Sequence, residues 1–404
     1  MMPLKIALVV QGRFHAFDLG RALIRRGHDV TLFTNYPRWA VRRFGVDPAR
    51  VRSFPWHGVV TRAYQRTGSP ALAHRCEPPA HRWFGRWAAR ELGRERWNVI
   101  HTWSGVSEEI LQSPVAADAL TLLMRGSSHI ATQRELLDDE SKRAQADLDR
   151  PGDWMIARER REYERADAIV VLSSFSAKTF VEQGIDADRL ELVPLGVDVQ
   201  AFSADEAARS ARIARIQRGE SLTVLYVGAL SYRKGLFDLM QVVRTPSVAS
   251  MKFRLVGNVM PEARPLLTRL PANVELTGKL PQSQLPAAYR EGDVFLFPTI
   301  EDGFPAVLAQ AHAAGLPIIT TPNGAGHDIV RSQDEGWVVP IRRPEAVLER
   351  LAWCDGNRSA LADMIASAGV HSRSRTWDEA AEDFETMCVR RLEHQGDGRV
   401  RHAG

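Results

Sequence analysis

The chain has 404 residues, 44% of them apolar, which is too long for one ordinary core and points to two domains of similar size. Ordinary composition without repeats excludes a solenoid, and a net charge of +4 with no helix-turn-helix, RNA-recognition or zinc-finger signature excludes nucleic acid as the expected partner. Three cysteines, Cys76, Cys354 and Cys388, with no CxxC spacing, support neither a disulfide framework nor a metal site and fit a reducing cytoplasm.

Lys5–Val10 reads as a parallel strand buried on both faces; its apolar run is too short for a signal peptide, and no later segment approaches the ~20 apolar residues that cross a bilayer. An amphipathic stretch from Ala16 to Arg26, stopped by Gly27, and a strand at Val30–Phe33 complete a βαβ unit. Between Arg38 and Trp97 basic and aromatic residues crowd together, among them Arg42, Arg43, Trp56, His81, Arg82, Trp83, Arg86 and Trp87. Two readings compete for them. One is an anionic partner, a membrane surface or a lipid-diphosphate acceptor; the other is a solvated basic face whose tryptophans pack inward.

Further strands are expected at Val99–His101, Leu120–Met124 and Ala168–Leu172. Val193–Asp198 reads as the linker, and the polar segment from Phe202 to Gly219 as surface. The alternation then restarts, with strands at Leu222–Val227, Lys252–Val256, Asn273–Leu276, Val294–Phe297 and Pro317–Thr320. The expected architecture is α/β, two Rossmann-like domains facing across a cleft: 1–197, 198–375, a helix 376–392 returning to the first domain, and a frayed tail 393–404. Ligands of such sheets bind beyond the carboxyl ends of the strands.

Two loops carry the chemistry. Val227-Gly-Ala-Leu-Ser-Tyr-Arg-Lys-Gly235 follows a strand, is bounded by Gly228 and Gly235, and sets Arg233 and Lys234 side by side, which suits a diphosphate. Phe297-Pro-Thr-Ile-Glu-Asp-Gly-Phe-Pro305 leads into an alanine-rich helix carrying Gln310. Asp302 at that helix start serves equally as an N-terminal cap or as a carboxylate for a sugar hydroxyl.

These segments, with Thr277-Gly278 and Asn323-Gly-Ala-Gly326, resemble the family 4 retaining glycosyltransferases of GT-B fold, most closely from about residue 162 to 345. The resemblance implies transfer of a sugar, with retention of configuration and no metal or cofactor, from a nucleotide-sugar in the C-terminal domain. The acceptor, a glycan, lipid-linked or small molecule, sits on the N-terminal domain. It implies a cytoplasmic protein of cell-surface glycan synthesis, peripheral at the inner membrane face.

The implied donor-side residues are Gly228, Arg233, Lys234, Asn258, Glu301, Asp302, Gly303, Phe304, Pro305 and Gln310, with Gly12, Arg13, His15, His101, Trp103 and Arg125 on the acceptor side. Lys234, Arg233, Asp302 and His129 are the expected catalytic set. Three departures from the family pattern stand out: Ala229 where it has arginine, Asp302 and Gln310 where it has paired glutamates, and Trp103 where it has a second histidine. They support the rival reading of a weakened nucleotide-sugar-binding protein.

Overall fold

The computed structural model describes residues 2–66, 70–371 and 374–402. They form two all-parallel sheets. The first holds β1 (Lys5–Val10), β2 (Asp29–Thr34), β3 (Val51–Ser53), β4 (Val99–Trp103), β5 (Leu120–Met124), β6 (Ala168–Val171) and β7 (Leu190–Leu192), in the order β3-β2-β1-β4-β5-β6-β7. The second holds β8 (Thr223–Val227), β9 (Lys252–Val256), β10 (Val274–Gly278), β11 (Val294–Phe297), β12 (Ile318–Thr320) and β13 (Gly336–Val338), in the order β10-β9-β8-β11-β12-β13.

Central strands are continuous apolar runs because helices cover both faces. Ile6 through Val10 are 0% exposed, and burial of Ile6, Leu8, Val9 and Val10 contributes roughly 1.5–3 kcal/mol each. In each sheet the first strand sits in the interior and the order reverses beside it, which opens a crevice at the carboxyl ends.

Val193, Leu195 and Val197 of the linker are buried where the chain passes between the halves, and Val197 bridges to Thr376 on the returning chain. A Cβ at Gly196 would lie 2.4 Å from the Thr376 carbonyl carbon, so two backbones cross there in contact. Beyond this crossing the helix Trp377–His402 packs on the first sheet. Its Phe384 ring lies 4.9 Å from that of His101, and Asp378 and Glu385 pair with Arg25 and Arg26 at 2.7 and 2.6 Å. The segment expected to fray is helical as far as His402.

The 202–219 segment also departs from expectation. It contains the helix Glu206–Gln217, and Arg212 is 1% exposed because its guanidinium donates to the carbonyls of Ala314 and Tyr289, acceptors left over at the ends of two helices.

Candidate functional site

The loops after β1, β4, β5, β8 and β11 converge on a cleft of about 870 Å³ between the sheets. Its second-sheet wall is built by Arg233, Lys234, Asp302 and Phe304, and its first-sheet wall includes Gly12, His15, His81, Trp103 and Arg125.

On the second-sheet wall the two loops interlock. A Cβ on Gly235, which sits at φ +76°, would fall 1.8 Å from the Pro298 carbonyl oxygen, so only glycine lets the cationic loop reach the acidic turn. Lys234 Nζ donates to the Glu301 carbonyl at 3.1 Å and forms a short ion pair with Asp302. Arg233 Nη1 meets Glu301 Oε2 at 3.1 Å. Asp302 is therefore held by a lysine; the helix Ala306–Ala313 starts at Pro305 with no side-chain cap, so the capping role weighed for Asp302 is not the one it plays.

Glu301 also crosses to the other domain. Its Oε1 accepts from Ser128 N–H at 2.9 Å and Ser128 Oγ at 2.8 Å, and its Oε2 from Gln133 at 3.0 Å. Burial alone would raise this carboxyl, but Arg233, Lys234 and the Ser128 donors outweigh it and hold the pKa at about 2. Gly303 lets the two loops touch, since a Cβ there would stand 2.4 Å from the Gly126 carbonyl oxygen.

On the first-sheet wall, the charge beside the carboxyl ends of the strands is paired. Arg125 is spent internally, on Glu159 at 2.9 Å and Gln133 at 2.7 Å. His101 and Trp103 alternate onto one face of β4, where Trp103 lines the cleft while its Nε1 has no hydrogen-bond partner. His15 lies beside it, ring centroids 5.2 Å apart, and burial lowers its pKa to about 4.

His81 shares the Gly105 carbonyl with Arg158, each at 2.7 Å. The Gly105 carbonyl can only accept, so neutral His81 donates to it through Nδ1 and keeps Nε2 as its acceptor atom. Burial, with help from Arg158 and against the Gly105 bond, lowers its pKa to about 4.

Several expected residues lie elsewhere. His129 does not line the cleft: it caps the helix Ile130–Ala144, its Nδ1 accepting from Ala131 N–H, and its ring packs 5.1 Å from both Tyr163 and Phe180. His101 is buried behind Trp103, burial lowering its pKa to about 3. Gly228 and Asn258 line neither cavity; a Cβ on Gly257 would fall 1.7 Å from the Gly228 carbonyl oxygen, so that approach is between backbones.

Gln310 and Arg13 line a second cavity of about 630 Å³, which shares Phe14, His15 and Leu195 with the first. Gln310 Oε1 accepts from Tyr289 Oη at 2.9 Å, so one of the acceptor positions expected to serve a ribose hydroxyl is occupied. Ser128, Gln133 and Glu159 escaped sequence reading because their partners lie far away in the chain; His81 was visible only as part of a basic cluster. Among the described residues no group of three or more His, Cys, Asp or Glu is placed to hold a metal ion.

Residues 13–201 match the family described as Glycosyltransferase Family 4, and residues 221–354 match Glycosyl transferases group 1. The chain is 25% identical over 241 residues to the putative colanic acid biosynthesis glycosyltransferase WcaL of Salmonella typhimurium, covering 57% of this chain and 56% of that one. It is 27% identical over 246 residues to the GDP-mannose-dependent alpha-(1-6)-phosphatidylinositol monomannoside mannosyltransferase of Mycobacterium tuberculosis, covering 57% and 62%. These matches span little more than half the length of either relative. In fold, HepE of Anabaena in complex with UDP-glucose superposes with a TM-score of 0.63 over 96% of this chain and 100% of that one, at 15% identity.

Proposed function

We propose, for a chain that belongs to the family 4 glycosyltransferases of GT-B fold, that its cleft moves a sugar from a nucleotide-sugar to an acceptor hydroxyl with retention of anomeric configuration. One observation carries this reading: two adjacent cations, Arg233 and Lys234, stand at the carboxyl end of a parallel sheet, each held by a carboxylate of the 301–302 turn and both facing the cleft. A diphosphate entering there takes over the pairing of Lys234, which frees Asp302 to accept from a hydroxyl of the donor sugar.

The C1–O bond to the β-phosphate breaks with its electron pair leaving on phosphate, where Lys234 meets the new charge. The acceptor oxygen bonds to C1 on the same face, and its proton passes to the departing phosphate oxygen. No metal or cofactor enters this scheme. The nucleoside belongs in the second cavity beside Gln310, and the acceptor against the neutral wall of His15, His81 and Trp103. The relatives' names support a glycan or lipid-linked acceptor in cell-surface glycan synthesis, and the reading that goes with it is a cytoplasmic protein working against the inner membrane face. No described helix is long and apolar enough to cross a membrane.

The test is a panel of UDP-, GDP- and ADP-sugars. One donor should raise the melting temperature, by the equivalent of ~2.7 kcal/mol at 100 times its Kd, and be slowly hydrolysed to the sugar with unchanged anomeric configuration, read by proton NMR. Binding without turnover would return the weakened binding protein; release of the opposite anomer would remove retention.

A further inference from the structure

The helix Pro55–Arg66 is turned inside out. Trp56, Val59, Val60 and Ala63 recur at the spacing of an apolar stripe, the side that normally faces a core. Here the stripe faces solvent, with Trp56 72%, Val59 55% and Val60 48% exposed. The buried side is instead polar: His57 is fully buried, its ring nitrogens bonding to the Asn35 side chain and the Ala80 carbonyl, and Thr61 Oγ1 donates back to the His57 carbonyl. A Cβ on Gly58 would stand 2.6 Å from the Asn35 carbonyl oxygen, so the helix is seated by backbone contact on that face and cannot roll its apolar side inward.

The surroundings say what covers this stripe. Trp39, 67% exposed on the short helix Arg38–Val41, has the Arg43 guanidinium 5.1 Å from its ring centre. From Arg38 to Arg66 the sequence holds seven arginines and, as its only acidic residue, Asp47. An apolar stripe among tryptophans and arginines fits a headgroup layer of negative charge rather than a protein core. The same helix contributes Thr61 and Arg62 to the wall of the cleft, with Arg62 stacked over Tyr36 at 5.5 Å.

We propose that the outward face of the helix Pro55–Arg66, together with Trp39 and the flanking arginines, docks into the surface of an anionic bilayer, so that the acceptor side of the cleft opens at the membrane. The assignment deepens the membrane-side reading given above, yet the docking itself requires neither donor nor acceptor.

The test uses the full chain in flotation with vesicles of phosphatidylcholine alone or mixed with phosphatidylglycerol. Binding to the mixed vesicles should exceed binding to the neutral ones at least tenfold at low salt and fall steeply at high salt. W56E/V60E should lose that binding. R42Q/R43Q should lower only the anionic preference. Both variants change exposed side chains and should keep the wild-type melting temperature and its shift with donor, which separates failure of docking from failure of the proposed transfer. Equal partitioning into both vesicles, or wild-type binding by W56E/V60E, overturns the proposal. So does a concentration-dependent dimer in sedimentation that W56E/V60E abolishes, for a second copy would then be what covers the stripe.

Discussion

The two walls of the cleft solve opposite problems. On the donor side, charge is concentrated and already paired: Arg233 with Glu301, Lys234 with Asp302, in a site whose donors and acceptors are fixed before any ligand arrives. On the proposed acceptor side the charge beside the strand ends is muted, although Arg62 also lines the cleft: Arg125 is neutralised by Glu159, and His15 and His81 are kept uncharged with pKa values near 4. Under the proposed transfer, a departing diphosphate needs cations that do not have to be gathered, and a hydroxyl needs groups such as His15 and His81 that accept or donate without a charge of their own.

The contrast is broken most severely at Glu301, because it belongs to both walls. Glu301→Ala strands the Arg233 guanidinium and the Ser128 and Gln133 donors, and should cost about 3–5 kcal/mol in denaturant unfolding, whereas Glu301→Gln should cost less. An alanine variant within 1 kcal/mol of wild type, a small effect by the measure of buried ion pairs, would show that the domains do not depend on this contact.

Lys234→Ala should lower donor turnover by about 10²–10³-fold, roughly 3–4 kcal/mol of barrier, with circular dichroism unchanged. Because Asp302 acts through the same pair, the Lys234→Ala/Asp302→Ala double variant should fall well short of the summed effects. Additive losses would mean that the two residues work separately.

The neutral wall makes its own prediction. A histidine with a folded pKa below its free value of about 6.5 loses stability as pH falls, since the unfolded chain takes up the proton first. For His101, lowered to about 3 by burial, the loss between neutrality and pH 5 should be roughly 2 kcal/mol. His101→Phe, which keeps the ring contacts with Trp103 and Phe384, should flatten the melting-temperature profile in that window. A variant with an unchanged slope would place the titration elsewhere. The smallest effect is expected at Gln310, where Glu should be tolerated with a change in donor KM of less than about tenfold, within about 1.4 kcal/mol. Chelation with EDTA should leave turnover unaltered.

What could be read from the sequence follows the range of the forces involved. Leu120–Met124 and Val294–Phe297 were visible to the residue because strands buried on both faces are apolar almost throughout. The three-residue strands Val51–Ser53, Leu190–Leu192 and Gly336–Val338 were not, since edges and near-edges carry too few residues to show a period. Lys234 and Asp302 were legible from the chemistry of their loops. Glu301 was expected only as a donor-side residue, whereas its partners Ser128 and Gln133 make it a contact between domains; such pairing has no signature in spacing. His129 shows the converse, a polar residue after a strand whose ring completes a helix cap and an aromatic cluster.

The returning helix Trp377–His402 has a consequence for the order in which the molecule is made. It covers the side of the first sheet where His101 lies, and it ties Arg25 and Arg26 to Asp378 and Glu385, yet it is synthesised after every strand of the second sheet. The acceptor half, first to leave the ribosome, is thus the last to be finished, waiting with part of its apolar surface uncovered while the donor half can complete its own sheet.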